Sequence, residues 1–324
     1  MKTLSHGIAA SLIALAALGG APVSAQEVLP PGDIKLVAAF PAGSGSDIVV
    51  RYYAEKLKEL SNRTVIVENK PGAGGNIATE MVARSKPDGL TIYLHTGSSM
   101  AANMHVYKKP PVDVLKALQV VAPINQQAFM LVVHPDKPWK SVAELTAAMK
   151  AKGDKATFGV SANSGVVMCA LYNAGAGLKA TEVKYRMAQD SMNDLASGAV
   201  DFACLDPQFT MGQYTANKLR VLGIASAKRM DAAAALPTMA EQGVAMDLNG
   251  WFAAFVPSAT PRPIVDQLNK WLNTITASAD GKKFLNQFAS DPWSGTPEEG
   301  QARLKKDIDA WGEYIRVAKI EQQG

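Results

Sequence analysis

The 324-residue chain reads as an α/β protein made of two doubly wound domains. Three observations predict this class. Short apolar runs alternate with amphipathic stretches, which is the βαβ rhythm of a parallel sheet covered by helices. The series breaks at Pro135-Asp136-Lys137-Pro138-Trp139, and a second series of the same kind begins beyond it. The chain is also long enough to bury two separate cores.

The elements follow in order. Ile34–Phe40 is predicted as the first strand, and the turn 41–47 leads into a helix from Asp47 to about Leu60, with Ile48, Val49, Tyr52 and Leu57 on its apolar positions. Thr64–Glu68 is the next strand, 76–84 a helix, and Leu90–His95 and Phe129–His134 further strands. Ser141 caps a helix, with Glu144 at the capping-box position. In the second series the strands are Thr157–Val160, Glu182–Tyr185, Val200–Leu205 and Leu219–Ala225, and the helices run over 166–174, after a cap at Asp190, and over 209–215. Trp251–Val256 is an apolar strand. Pro263 suits the first turn of a helix reaching Ala277, and Thr296 caps the last helix with Glu298 and Glu299 in its first turn.

Composition narrows the partners. Lys2 followed by the apolar run Ile8 to Leu18 and the small-residue pattern Val23-Ser24-Ala25 predicts an export leader, residues 1–25, cleaved near Ala25. The expected destination is the periplasm. Net charge is +4, scattered rather than striped, which suits a small anion and gives no nucleic-acid face. Cys169 and Cys204 either pair in an oxidising compartment or lie buried as free thiols. His95, His105 and His134 show no metal spacing and are read as surface or loop residues. No metal, cofactor or catalytic residue is expected, since no nucleophile elbow and no paired acid–base group is visible.

Three Gly-, Ser- or Asn-rich turns follow strand ends: 41–47, His95-Thr96-Gly97-Ser98-Ser99, and Ser161–Gly165. A fourth, Pro71-Gly72-Ala73-Gly74-Gly75-Asn76, opens a helix. Ligands of open α/β sheets bind outside the carboxyl ends of the strands, and a helix N-terminus offers free amides to an anion. Gly43-Ser44-Gly45, with Glu68 at the end of the next strand, imitates a dinucleotide fingerprint. Ile48 stands where its third glycine is required, and the turn lacks the lysine of a phosphate-binding P-loop.

The runs from Val37 to Asp47 and from Val67 to Ile77 resemble the ligand loops of the Bug family, the TctC-like substrate-binding proteins of tripartite tricarboxylate transporters. Lys86–Thr91, Lys140–Leu145 and Gly295–Glu299 are similar to the family in order as well. The resemblance implies a "Venus flytrap" of the type II periplasmic-binding-protein class, in which two domains close on a carboxylate. It implies domain one over 26–131 and 249–324 and domain two over 132–248, with hinges near Met130–His134 and Gly250–Val256. Carried over by position, the ligand donors are Ala42, Gly43, Ser44 and Ser46, with Ser98 nearby, from the first domain, and Ser161, Asn163 and Ser164 from the second; Asp47 and Phe40, an aromatic at the presumed cleft edge whose default is core packing, join them as ligand-binding candidates.

After Tyr185 this chain departs from the family pattern with Arg186-Met187-Ala188-Gln189-Asp190-Ser191. Arg186 is a candidate bidentate partner for a second carboxylate, or a solvent-facing residue. Asp206, just past a strand end, is a helix cap first and a site acid second. Phe209 and Trp251 are core residues by default; facing the cleft, they would favour a flat aromatic acid. The expectation is therefore a monomeric periplasmic protein that captures a small organic carboxylate. A dicarboxylate is the favoured class, with aromatic ones such as terephthalate included. Membrane permease subunits would receive it. A ligand-presenting sensory protein and an exported α/β enzyme are the alternatives.

Overall fold

The computed structural model describes residues 28–323; the leader and its cleavage site lie outside them. The elements run β1 (Ile34–Ala38), α1 (Gly45–Ser61), β2 (Val65–Asn69), α2 (Asn76–Ala83), β3 (Thr91–Thr96), α3 (Gly97–Val106), α4 (Val114–Ala117) and β4 (Leu118–Ala128). There follow β5 (Met130–Val133), α5 (Val142–Lys152), β6 (Thr157–Val160), α6 (Asn163–Gly175), β7 (Thr181–Lys184), α7 (Ser191–Ser197), β8 (Phe202–Leu205), α8 (Pro207–Thr215) and β9 (Arg220–Ile224). The chain ends with β10 (Asn249–Pro257), α9 (Arg262–Ala277), α10 (Ala279–Asn286), β11 (Ser290–Pro292) and α11 (Pro297–Val317).

Two sheets result. The first is ordered β11-β4-β10-β3-β1-β2 and the second β7-β6-β8-β5-β9. The βαβ units are parallel, as the alternating pattern requires: β1 pairs with β2 and β3, and β6 with β7 and β8. The strands that follow the passages between sheets are antiparallel: β10 against β3 and β4, and β5 against β8 and β9. The sheets are therefore mixed where a purely parallel arrangement is predicted.

β4 is the strand that the sequence pattern hides. Its Pro123 and the polar Asn125, Gln126 and Gln127 break an apolar run, and Pro is excluded from a regular central strand. The pairing absorbs it at an irregularity, where the β10 register moves from Asn125 to Pro123. The chain then leaves the first sheet at Phe129 and returns between Ile224 and Asn249. The two passages are tied side by side: the Ala225 amide donates to the Phe129 carbonyl, and the Leu248 amide to the Ala225 carbonyl. The expected hinge strands themselves lie inside the sheets.

Local signals account for most helix ends. Ser141 caps α5 and its hydroxyl accepts from the Glu144 amide. Thr296 and Glu299 form a reciprocal capping box on α11, with Pro297 at the start. In the second sheet's layer, Cys169 of α6 and Cys204 of β8 form a disulfide. Gly165 lets the helix approach that closely, because a Cβ there would stand 2.5 Å from the Cys204 carbonyl oxygen. One apolar cluster includes α3 (Ala101, Ala102, Val106), α6 (Val167, Cys169, Tyr172) and α11 (Trp311, Ile315), so a core continues from one half of the molecule into the other. Among the described residues no helix is long and apolar enough to cross a membrane.

Candidate functional site

The first turn begins with a cap. Ser44 is extended, and its hydroxyl accepts from the Asp47 amide at 3.3 Å. Helix α1 thus starts at Gly45, earlier than predicted, and Gly45 and Ser46 occupy its first two positions. Their amides point along the axis with no acceptor within the helix. Asp47 is fully buried and organises the turn. Its carboxylate accepts from the Gly43 amide (2.8 Å), Arg51 Nε (2.7 Å) and Asn69 Nδ2 (2.7 Å). Burial alone would raise the Asp47 pKa, but these hydrogen bonds and the Arg51 charge hold it below the usual carboxylate value. Two carried-over residues therefore change character. The Gly43 amide is already committed to Asp47, and Asp47 holds the loop rather than facing a ligand. Ala42 is exposed at the tip of the turn.

The N-termini of α1 and α8 meet. A Cβ on Gly45 would stand 2.6 Å from the carbonyl carbon of Gln208, so only glycine allows this approach. The Gln208 side chain donates from Nε2 to Gln127 Oε1. Gln127 lies on β4, so this bond crosses from one sheet's elements to the other's. Asn125 Nδ2 also reaches Gln127 Oε1, at 3.4 Å. A Cβ on Gly250 would be 3.2 Å from Ser98 Oγ and 3.4 Å from Gln127 Cγ, which puts the start of α3 beside the same spot.

A second crossing contact lies at α6. Asn163 Nδ2 donates to Asn103 Oδ1 at 3.0 Å, and Asn103 Nδ2 donates to the Gly74 carbonyl and to Asn76 Oδ1. Ser164 is buried beside Asn163, while Ser161 is half-buried.

On β3, α3, β4 and α8 several polar atoms are buried and have no partner: Ser98 Oγ, Gln127 Nε2, Gln208 Oε1, Thr96 Oγ1 and both ring nitrogens of His95. Natural proteins rarely leave such atoms unsatisfied. His95 is 3% exposed, against its reading as a surface residue. Its ring lies between Phe40 and Tyr93, with centroids 5.1 and 5.0 Å away. Gly75, at φ 97°, passes so close that a Cβ would touch His95 Nε2 at 2.6 Å. Burial pushes the His95 pKa down to about 3, so the ring is neutral at physiological pH.

Other candidates stay outside this cluster. Arg186 is exposed on the loop after β7. Asp206 caps α8, its Oδ1 accepting from the Phe209 amide at 2.9 Å, and burial raises its pKa. Phe209 is half-buried. Trp251 is fully buried, its indole donating to Asp307 at 2.8 Å, and so belongs to the core. Sequence reasoning missed His95, Gln127, Gln208 and Asn103. Gln126-Gln127, a polar pair ending an apolar run, and Gln208, three residues past the end of β8, carried a usable signal, as did His95 at the head of the turn His95–Ser99; Asn103 carried none.

The comparisons with known proteins point one way. The family model described as the tripartite tricarboxylate transporter family receptor, TctC, matches residues 49–319. Protein BugT of Bordetella pertussis is 28% identical over 301 residues, covering 91% of this chain and 92% of its own. Among solved structures, the periplasmic binding protein BugD superposes with a TM-score of 0.82 at 28% identity, covering 91% of this chain and 100% of that one. R. palustris Rpa4515, solved with adipate, superposes at 0.85 with 28% identity, covering 90% and 99%.

Proposed function

Because this chain belongs to the TctC family of tripartite tricarboxylate transporter receptors, we propose that it is a periplasmic solute-binding protein that captures a small organic carboxylate by closing two domains on it. The observation that carries this reading is the group of buried, unpartnered polar atoms where the halves of the molecule meet. Ligand carboxylate oxygens would accept from the donors among them, Ser98 Oγ and Gln127 Nε2. One carboxylate would rest on the free amides of Gly45 and Ser46 and on the Ser46 hydroxyl, at the positive end of α1. Each hydrogen bond to the charged group contributes about 1.5–3 kcal/mol. Ser98 would serve from the first domain, and Asn163, Ser164 and Ser161 from the second. A bound dicarboxylate in a similar fold, adipate in Rpa4515, supports the same ligand class here.

The proposed division assigns 26–131 and 249–324 to one domain and 132–248 to the other. Bending would occur at Phe129 and at the neighbouring return passage, whose backbones are bonded to each other. The loaded protein would deliver its ligand to the permease subunits of a tripartite transporter after export and removal of residues 1–25. Binding without turnover is the expected chemistry.

A thermal-shift screen of the mature protein with mono-, di- and tricarboxylates, aromatic diacids included, tests this. Binding to the folded state raises the melting temperature. A rise with one or more acids is the expected result; a rise only with phosphates or nucleotides would overturn it.

A further inference from the structure

We propose that Ser98, Gln127 and Gln208 form a subsite selecting a carboxylate that also carries a hydroxyl group; this rests on the carboxylate reading above. The three side chains are 0%, 1% and 3% exposed, yet Ser98 Oγ, Gln127 Nε2 and Gln208 Oε1 have no partner. The two amides bond to each other through Gln208 Nε2 and Gln127 Oε1. That leaves an N–H donor on one and a carbonyl acceptor on the other. Asn125, whose Oδ1 accepts from the Phe252 amide, turns its Nδ2 to Gln127 Oε1 and so favours this assignment of oxygen and nitrogen.

This inventory discriminates between ligand groups. A carboxylate oxygen only accepts, so it can satisfy Gln127 and Ser98 but never the amide carbonyl. A methylene satisfies neither. A hydroxyl accepts from one amide and donates to the other. Charge leads to the same conclusion: among the described residues no Lys or Arg is buried. A second carboxylate pressed against this spot would be a buried anion without a cation. A neutral, two-way group is what the two amides lack. Sites built to bond a hydroxyl reject the analogue that lacks it, because their own polar atoms are then stranded.

The test compares matched acids by isothermal titration of the purified protein: succinate with malate and with 2-methoxysuccinate, glutarate with 2-hydroxyglutarate, adipate with 2-hydroxyadipate. In at least one pair the hydroxy acid should bind about tenfold tighter, the equivalent of one good hydrogen bond. A methoxy group, which accepts without donating, should not restore the gain. Gln208→Met and Gln127→Met should each erase the difference between the two acids of a pair, over and above any common loss from removing the Gln208–Gln127 bond. Equal affinities in every pair on the wild-type protein would overturn the inference, whether or not the variants fold. So would variants that weaken both members of a pair equally, since the amides would then be a closing contact only. If no acid of either kind binds, the carboxylate reading itself falls, a result distinct from equal binding.

Discussion

His95 shows how one buried group makes stability depend on pH. The unfolded imidazole takes up a proton below its ordinary pKa of 6.5, whereas the folded ring resists until about 3. Between those values the unfolded state binds more protons, so stability falls as pH drops, by up to about 1.4 kcal/mol per unit. A His95→Phe variant keeps a ring between Phe40 and Tyr93 and has nothing to protonate. Urea unfolding at pH 7, 6 and 5 should show a flatter profile for the variant; parallel profiles would assign the pH dependence to other groups. Ser46 works at the same scale. If its hydroxyl donates to the ligand, Ser46→Ala should weaken carboxylate binding by about 1 kcal/mol by titration calorimetry. Unchanged affinity would leave the anion to the backbone amides alone.

At the scale of elements, several caps were legible. Ser141, Asp206 and Thr296 each precede a helix and each accepts from a backbone amide; Asp190, read as a cap, makes no such bond to α7, and the Ser44 cap of α1 was not read. A cap needs only residues three positions apart, so it is written locally. Strand β4 and helix α3 were not legible, because Pro123 and the Gly97-Ser98-Ser99 start are breakers that only tertiary pairing and packing override. The pairing of Cys169 with Cys204 was left open for the same reason. Their separation is 35 residues, and only the packing of α6 on β8 joins them. The bond ties the helix bearing Asn163 and Ser164 to the strand leading to Gln208. A double Cys169→Ala, Cys204→Ala variant should lose about 3–4 kcal/mol of stability in urea melts run without reductant. A loss below about 1 kcal/mol would mean that the apolar packing around the pair suffices.

Across the whole molecule, the contact between α1 and α8 limits how far the halves can close. Gly45 lies in a helix, where alanine is favoured over glycine by up to about 1 kcal/mol. Where the halves stand apart, Gly45→Ala should therefore be tolerated. Its Cβ would nevertheless meet the Gln208 backbone at 2.6 Å, and backbone cannot rotate away. The variant should bind every carboxylate more weakly, by about 1–3 kcal/mol, and small-angle scattering with ligand should show a larger radius than the wild type. Opening should occur on this side, since the α3, α6 and α11 side shares one apolar core.

What the sequence determined by itself was local and repetitive: the βαβ alternation, the break at 135–139, the helix caps, and the Gly/Ser turn that starts α1. These depend on neighbours a few residues apart, and periodicity or capping chemistry expresses them directly. It also pointed to Ser44, Ser46, Ser98 and Asn163, which the fold places at the starts of α1, α3 and α6. The tertiary structure alone decided which polar groups are stranded there. His95 is buried because Gly75 and Phe40 cover it. Gln127 meets Gln208, 81 positions away, because two strand passages fold the halves together. Bonds within the first half, from the Gly43 amide, Arg51 and Asn69 to Asp47, assigned Gly43 and Asp47 to holding the turn, and Arg186 stands in solvent. Burial is a property of everything packed around a side chain, and no window of sequence contains that.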